Sequence, residues 1–310
     1  MSEQFRHQTV LLSDAVDALV SSPEGLYVDG TFGRGGHSRA VLEKLSGKGR
    51  LIGIDKDPEA VAVGQALAQV DSRFRICHGS FAKLEQFVGQ QQVDGVLLDL
   101  GVSSPQFDNP ARGFSFLQDG PLDMRMNTGH GICAADWLAD ADETEIADVL
   151  KRYGEERFAR RMARAIVRAR AVEPIVTTGQ LAHIISQANP AWEKGRHPAT
   201  RAFQGIRIFV NSELDDLNRV LEQTLEVLKP GGKLVVISFH SLEDRIVKRF
   251  IRKHEKGDTN VPDWVPLTAE QQDAARRLRS CGKAVRSGKD ELDANPRARS
   301  AIMRVATRLG

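Results

Sequence analysis

The sequence predicts an α/β protein, a single doubly wound domain on a largely parallel sheet that is interrupted by an all-helical insertion. Three observations carry this. Short apolar runs alternate with helical patterns over the first hundred residues; the alternation stops between 109 and 207; and it resumes from 208 to the last residues. The expected organisation is therefore 1–108 for the first part of the main domain, 109–207 for the insertion and 208–310 for the second part.

Leu26–Asp29, Arg50–Asp55, Arg73–Cys77 and Val93–Leu100 read as strands, because each is a nearly continuous apolar run of the kind a parallel sheet buries on both faces. Gly36–Leu45 and Pro58–Val70 read as the intervening helices. In the insertion, helical patterns include Asp142–Lys151 and Glu155–Ala171, with breaks at Pro174, Pro190 and Pro198. The second part opens with a helix, Ser212–Leu228, stopped by Lys229-Pro230-Gly231-Gly232, and continues with a strand over Lys233–Phe239. Ala301–Arg308 reads as the last strand.

The composition, 41% hydrophobic and 27% charged in 310 residues, is that of an ordinary packed chain and excludes disorder. Cys77, Cys133 and Cys281 are widely spaced, so neither a disulfide framework nor a metal site is expected. With no signal-like start and no long apolar run, the expectation is a cytoplasmic protein that does not engage a membrane. Net charge is only +2, but residues 151–170 hold eight basic residues against two acidic, and 271–310 hold ten against four. Such clusters suit a polyanion, or else are simply a solvated helix face and a frayed tail.

The first strand ends at Asp29 and runs into Gly30-Thr31-Phe32-Gly33-Arg34-Gly35-Gly36-His37-Ser38. Glycines there let the backbone turn sharply and approach a ligand at the carboxyl edge of the sheet. Asp55 closes the second strand, where a carboxylate can accept both hydroxyls of a ribose. A dinucleotide fingerprint would need glycine where Ser38 stands, and Asp29 would repel a pyrophosphate. The same acid suits an ammonium group, and the helix beginning at Gly36 suits a carboxylate. The spacing thus favours S-adenosyl-L-methionine over a nicotinamide cofactor, with Asp29, Gly33, Gly35, Gly36, Asp55, Phe81 after the third strand and Asp99 after the fourth as candidates. The plain alternatives are a core aromatic for Phe81 and a turn cap for Asp99.

Beyond Asp99 lies Leu100-Gly101-Val102-Ser103-Ser104-Pro105-Gln106-Phe107. Ser104 to Phe107 resembles the Ser/Asp/Asn-Pro-Pro-aromatic motif of amino-methyltransferases, with Gln106 in place of the second proline. The lone pair of an aromatic exocyclic amine is conjugated with its ring, so alkylation needs acceptors that hold its hydrogens and aim its nitrogen. Asp99 and the Ser104-Pro105 backbone are the candidates, and no general base is assigned. A C5-cytosine mechanism needs a thiolate after the fourth strand, where this chain has no cysteine, and the Lys-Asp-Lys-Glu set of a ribose methyltransferase cannot be assembled.

His7-Gln8-Thr9-Val10-Leu11-Leu12, Asp29–Ser38, Asp99–Gln106, His197–Asn211, Ser238–Arg245 and Asn295–Ser300 together closely resemble the MraW (RsmH) family, the bacterial 16S ribosomal RNA cytosine-N4 methyltransferases, from end to end of the chain. The resemblance implies a class I (Rossmann-like) S-adenosylmethionine-dependent methyltransferase fold, and a target cytosine near the P site of the 30S subunit. It places cofactor positions on Gly35, Gly36, His37, Asp55, Phe81, Asp99 and Gln106. Departures are small: Asp14 stands where Glu is expected and Thr9 where Pro is expected.

For RNA, Arg157, Arg161, Arg164 and Arg168 form a stripe at helical spacing, while Phe158, Met162 and Ile166 pack elsewhere. Thr200 is expected to cap a helix with Arg201, Gln204 and Asn211 on one polar side. Ser238 and His240 end the fifth strand within reach of a base, His240 being a further catalytic candidate, and Ser241 with Asp244 reads as a capping box. Arg297 and Arg299 are either phosphate contacts or decoration of the final strand. The sequence leaves the oligomeric state open, a homodimer included. It also leaves two competing functions, a nicotinamide-dependent oxidoreductase and a non-catalytic ribosome-assembly factor.

Overall fold

The computed structural model describes residues 9–192, 195, 197–257, 268, 271 and 274–310; His7 and Gln8 of the first family segment lie outside them. The chain forms two compact units, one of residues 1–101 with 214–310 and one of residues 102–213.

The first unit contains α1 (Leu12–Leu19), β1 (Leu26–Asp29), α2 (Gly36–Lys44), β2 (Arg50–Asp55), α3 (Pro58–Val70), β3 (Phe74–His78), α4 (Leu84–Val88) and β4 (Val93–Asp99). The second contains α5 (Ser104–Asp108), α6 (Ala134–Asp140), α7 (Glu143–Arg152), α8 (Ala159–Arg170), α9 (Thr178–Ala188) and α10 (Thr200–Val210). The first then resumes with α11 (Glu213–Val227, its first residue still in the helical unit), β5 (Leu228–Ser238), α12 (Ser241–Lys256), β6 (Leu278–Ser280), α13 (Lys289–Ala294) and β7 (Ile302–Arg308).

The seven strands form one sheet in the order β3-β2-β1-β4-β5-β7-β6. β1 to β5 are parallel, and β7 runs antiparallel to both β5 and β6. Alternation along each strand sends apolar side chains to both faces. Tyr27, Leu51, Leu97, Val235 and Ile237 pack with Val16, Leu19, Val41 and Leu67 of α1 to α3. Val28, Ile52, Val96, Leu98 and Val236 pack on the other face with Leu84, Leu221, Val247 and Phe250 of α4, α11 and α12. The short strand β6 has no counterpart in the sequence reading. Lys229-Pro230-Gly231-Gly232, expected as a turn ahead of the strand, lies inside β5 as an irregularity: Val93 pairs with Leu228 and Gly95 with Lys233.

The insertion starts earlier and ends later than the sequence suggests, at 102 and 213 in place of 109 and 207. The reason is packing: Val102 and Phe107 at one end, and Phe209 and Val210 at the other, join its core around Leu138, Ile146, Leu150, Met162, Ile166, Leu181 and Ile206. α8 begins at Ala159 and not at Glu155, because Glu155 turns with φ 50° and the buried Glu156 accepts from the Phe158 N–H. Arg157 therefore precedes the helix. Thr200 is not a cap either; Ala199 occupies that position without a side-chain bond, and Thr200 is the first helical residue.

Asn211 is buried at the end of α10, where its side-chain oxygen accepts from Met126 N (2.7 Å) and its amide donates to Met124 O (2.7 Å) and Arg207 O (2.9 Å). The expected RNA contact is thus a brace within the helical unit. Among the described residues no helix is long and apolar enough to cross a membrane. Asn211→Ala would strand a buried N–H and a carbonyl, so it is expected to cost about 1–3 kcal/mol, read as a lowered urea midpoint of unfolding.

Candidate functional site

β1 and β4 are neighbours whose onward connections leave toward opposite ends of the sheet, so the carboxyl edge between them is the crevice such folds use for ligands. Three strand ends present carboxylates there: Asp29, Asp55 and Asp99.

Asp29 is fully buried; Ser38 Oγ donates to its Oδ2 (2.6 Å) and Thr31 N to its Oδ1 (3.2 Å). The residue that breaks the dinucleotide fingerprint is therefore the one that holds Asp29. The glycine loop folds back on β2, with Gly33 N donating to Asp55 Oδ2 (2.7 Å) while Asp57 N donates to Oδ1 (2.8 Å). Gly35 enters α2 at φ 78°, a conformation that favours glycine, and a Cβ on Gly36 would run into the Thr9 hydroxyl. Thr9, one of the two departures from the family pattern, thus packs against this loop.

Asp99 is held by its backbone, whose N–H donates to Thr31 Oγ1 (2.6 Å). Its side-chain Oδ2 lies 3.6 Å from His37 Nδ1, while Asp99 Oδ1 and His37 Nε2 are buried without hydrogen-bond partners. Burial first, then the charges of Asp29 and Glu243, push the Asp99 carboxyl well above its usual range. His37 cannot offset them, since burial lowers it to about 4 and leaves it neutral at pH 7. Burial likewise raises Asp29, and it raises Asp55 from 3.8 to about 6 with help from the charges of Asp57 and Asp29 and against the hydrogen bonds from Asp57 and Gly33. No Lys or Arg among the described residues pairs with Asp29, Asp55 or Asp99. The edge is a set of buried acids without a countercharge, and a cationic ligand with hydroxyl groups is the complement it lacks.

Phe81 opens a 3-10 turn (Phe81–Lys83) after β3, capped by Ser80, whose oxygen accepts from Ala82 N (3.1 Å). Ser80 Oγ also donates to Asp216 Oδ2 (2.6 Å); Lys56 Nζ reaches the same oxygen (2.8 Å) and lies 5.8 Å from the centre of the Phe81 ring. This trio was not visible in the sequence, where only the position of Lys56 beside Asp55 hints at it.

Ser238 is buried at the end of β5 with its hydroxyl unpartnered. His240 caps α12, its Nδ1 accepting from Glu243 N (3.4 Å), while Glu243 accepts from Phe239 N (2.8 Å) and His240 N (3.3 Å). The capping box is thus His240 with Glu243 and not Ser241 with Asp244; Asp244 instead takes both Nε and Nη2 of Arg304, at 2.7 and 3.1 Å. Glu243, unremarked in the sequence, is the buried acid that acts on Asp99.

Ser104, Pro105 and Gln106 lie in the helical unit, in the first turn of α5, where Gln106 is buried and accepts from Ser103 N (2.8 Å). Arg157, Arg161, Arg164 and Arg168 are all exposed, with Met162 and Ile166 in the core beneath; Arg157 covers Phe158 and Arg164 approaches Glu143 (3.4 Å). Gln204 donates to Tyr153 O (3.4 Å), and Arg201 is half-buried. Arg297 and Arg299 are exposed on a 3-10 turn (Pro296–Ser300) ahead of the last strand.

A carboxyl whose folded value exceeds its unfolded one favours folding only when protonated. Asp55 should therefore lower stability progressively between about pH 4 and about pH 6 and hold it lowered above. In ligand-free protein, Asp55→Asn is expected to raise Tm over the parent at pH 7, with the gain shrinking toward pH 4.

A profile of the MraW methylase family matches residues 4–309. The Ribosomal RNA small subunit methyltransferase H of Chromohalobacter salexigens is 57% identical over 310 residues, which cover 99% of this chain and 92% of that protein. Among solved structures, an rRNA methylase from Streptococcus thermophilus has a TM-score of 0.41 at 10% identity, covering 96% of this chain and 92% of its own. TrmN from Thermus thermophilus has a TM-score of 0.43 at 11% identity, covering 96% of this chain and 48% of its own. Superpositions this loose bear no weight. The match over nearly the whole length is what decides between the alternatives, and the chain belongs to the MraW methylase family, S-adenosylmethionine-dependent methyltransferases of the α/β class I fold.

Proposed function

We propose that this enzyme methylates the exocyclic N4 amine of a cytosine in the decoding region of 16S ribosomal RNA, near the P site, acting on the 30S subunit in the cytoplasm. The observation that carries the reading is the set of buried acids without a countercharge at the ends of β1, β2 and β4. The 57% identity, over 99% of this chain, to a relative named as a ribosomal RNA small subunit methyltransferase supports the substrate class.

S-adenosylmethionine, when bound, supplies a methyl group on a positively charged sulfur. The chain's own residues hold and aim. Asp55 accepts the two ribose hydroxyls through the oxygens that already take the Gly33 and Asp57 N–H groups. Phe81 would lie against the adenine and Asp29 would face the ammonium; Gly35, whose own N–H donates to Phe32 O, turns the chain so that the first N–H groups of α2, at Gly36 and His37, would face the carboxylate. Gln106 completes this set. A cation beside Asp99 offsets both the burial and the repulsion that raise its carboxyl, so Asp99 is ionised in the complex and accepts one amine hydrogen. The Ser104-Pro105 backbone accepts the other, and His240 contacts the base from the end of β5. The transition state would disperse positive charge, so a dry preorganised pocket is enough and no strong base is required; the proton shed by the methylated nitrogen would pass to the Asp99 carboxylate that accepts its hydrogen bond.

The arginines at 157, 161, 164 and 168 hold RNA phosphates in this reading, with Arg201, Gln204, Ser238, Arg297 and Arg299 as further contacts.

Purified protein with labelled S-adenosylmethionine and under-methylated 30S subunits should yield N4-methylcytidine on nucleoside analysis. Label found only in 5-methylcytidine or on ribose would overturn the reading. Asp99→Ala is expected to lower turnover about 10²–10³-fold. Asp55→Ala should raise the cofactor Kd about 10–100-fold, measured by calorimetry.

A further inference from the structure

α12 buries Val247, Phe250 and Ile251 and turns Lys248, Arg252 and Lys256 to the outside, spaced four residues apart so that they follow one line along the helix. Four residues of helix advance about 6 Å, comparable to the separation of successive phosphates along an extended strand. The line borders a recess of about 270 Å³ that Lys283 and Arg304 also enter, at the outer edge of the sheet where β6 and β7 pair.

The acids beside this recess are already engaged. Glu255 accepts from Ser280 N (3.0 Å), and Asp244 is bound to Arg304. Among the described residues Lys248, Arg252, Lys256 and Lys283 have no ion-pair partner. The result is a concave cationic surface on the first unit, outside the glycine loop and outside every arginine assigned to RNA above.

We propose that this surface is a further RNA-backbone site, in which Lys248, Arg252 and Lys256 neutralise successive phosphates of a strand. The inference rests on the proposed ribosomal RNA substrate. A polyanion fits better than a lipid surface, because none of the large exposed apolar residues among those described (Val70, Leu117, Ile132, Val172, Val176 and Trp192) lies on α12, β6 or β7. Among the described residues no aromatic side chain lines the recess to stack a base, so the contacts described there position RNA without reading its sequence.

The test uses the full-length protein and its K248A/R252A/K256A variant, with binding to a labelled single-stranded RNA followed by fluorescence anisotropy over a salt series. Loss of three phosphate contacts should reduce the slope of log K against log salt by about 2, and equally for an RNA of unrelated sequence. Calorimetric affinity for S-adenosylmethionine and Tm should remain those of the parent, which shows that the variant is folded. An unchanged slope overturns the proposal, as does an unchanged slope accompanied by lost binding to phosphatidylserine vesicles, which would assign the surface to a membrane. Methyl transfer to 30S subunits by the parent protein is scored separately. Transfer with an unchanged slope removes this site alone, and a reduced slope without transfer removes the substrate reading while the RNA site stands.

Discussion

The constraint on which the site depends is electrostatic: Asp29, Asp55 and Asp99 are gathered at one sheet edge, with Glu243 close behind, and among the described residues no basic side chain answers them. A folded chain tolerates such a cluster only by raising the carboxyl pKa values or by holding a cation. The backbone meets part of the cost. Gly33, Asp57 and Thr31 each direct an N–H at a carboxylate, and Ser38 adds a hydroxyl. What remains unmet, above all at the unpartnered Asp99 Oδ1, leaves the edge with an excess of negative charge and acceptor capacity, which the proposed binding of a sulfonium amino-acid nucleoside would offset. In the proposed reading, stability is given up at the same positions where binding is gained, a common trade at functional sites.

The sheet and its glycine loop were legible because their signals are local. Apolar runs at Leu26–Asp29 and Arg50–Asp55 coincide with strands, the run Val93–Leu100 overshoots its strand by one residue, and Pro58–Val70 coincides with a helix that Asp57 caps through Glu59 N. What escaped depends on partners remote in the chain. Asn211 looks like one more polar residue on a helix face until Met124 and Met126 fold against it. Asp216 sits on a helix far from Lys56 and Ser80, so no spacing rule joins them. At the start of α12 two overlapping capping patterns compete, and the choice of His240 with Glu243 leaves Asp244 free for Arg304, a strand residue near the end of the chain. The Pro-Gly-Gly stretch reads as a turn ahead of a strand, yet the strand has already begun at Leu228, and the stretch is the irregularity between the Val93–Leu228 and Gly95–Lys233 pairs.

The insertion is a domain in the physical sense, since its hydrophobic core is made of its own residues, from Val102 to Val210. This explains why its limits were misjudged by a few positions at each end. Composition changes gradually along the chain, while membership of a core is decided by which side chains are buried together. Asp99 ends a strand of one unit, Ser104 and Pro105 open a helix of the other, and the chain passes between the units at Gly101–Val102 and again at Glu213–Leu214.

The position of β7 has a consequence for how the chain is made. It is the last strand, yet it lies between β5 and β6, so the sheet cannot be finished until the C-terminal residues are free to insert. During synthesis every residue of the helical core has been added before Leu214, which allows that unit to fold on the nascent chain while the unit that contains the glycine loop is still waiting for its final strand.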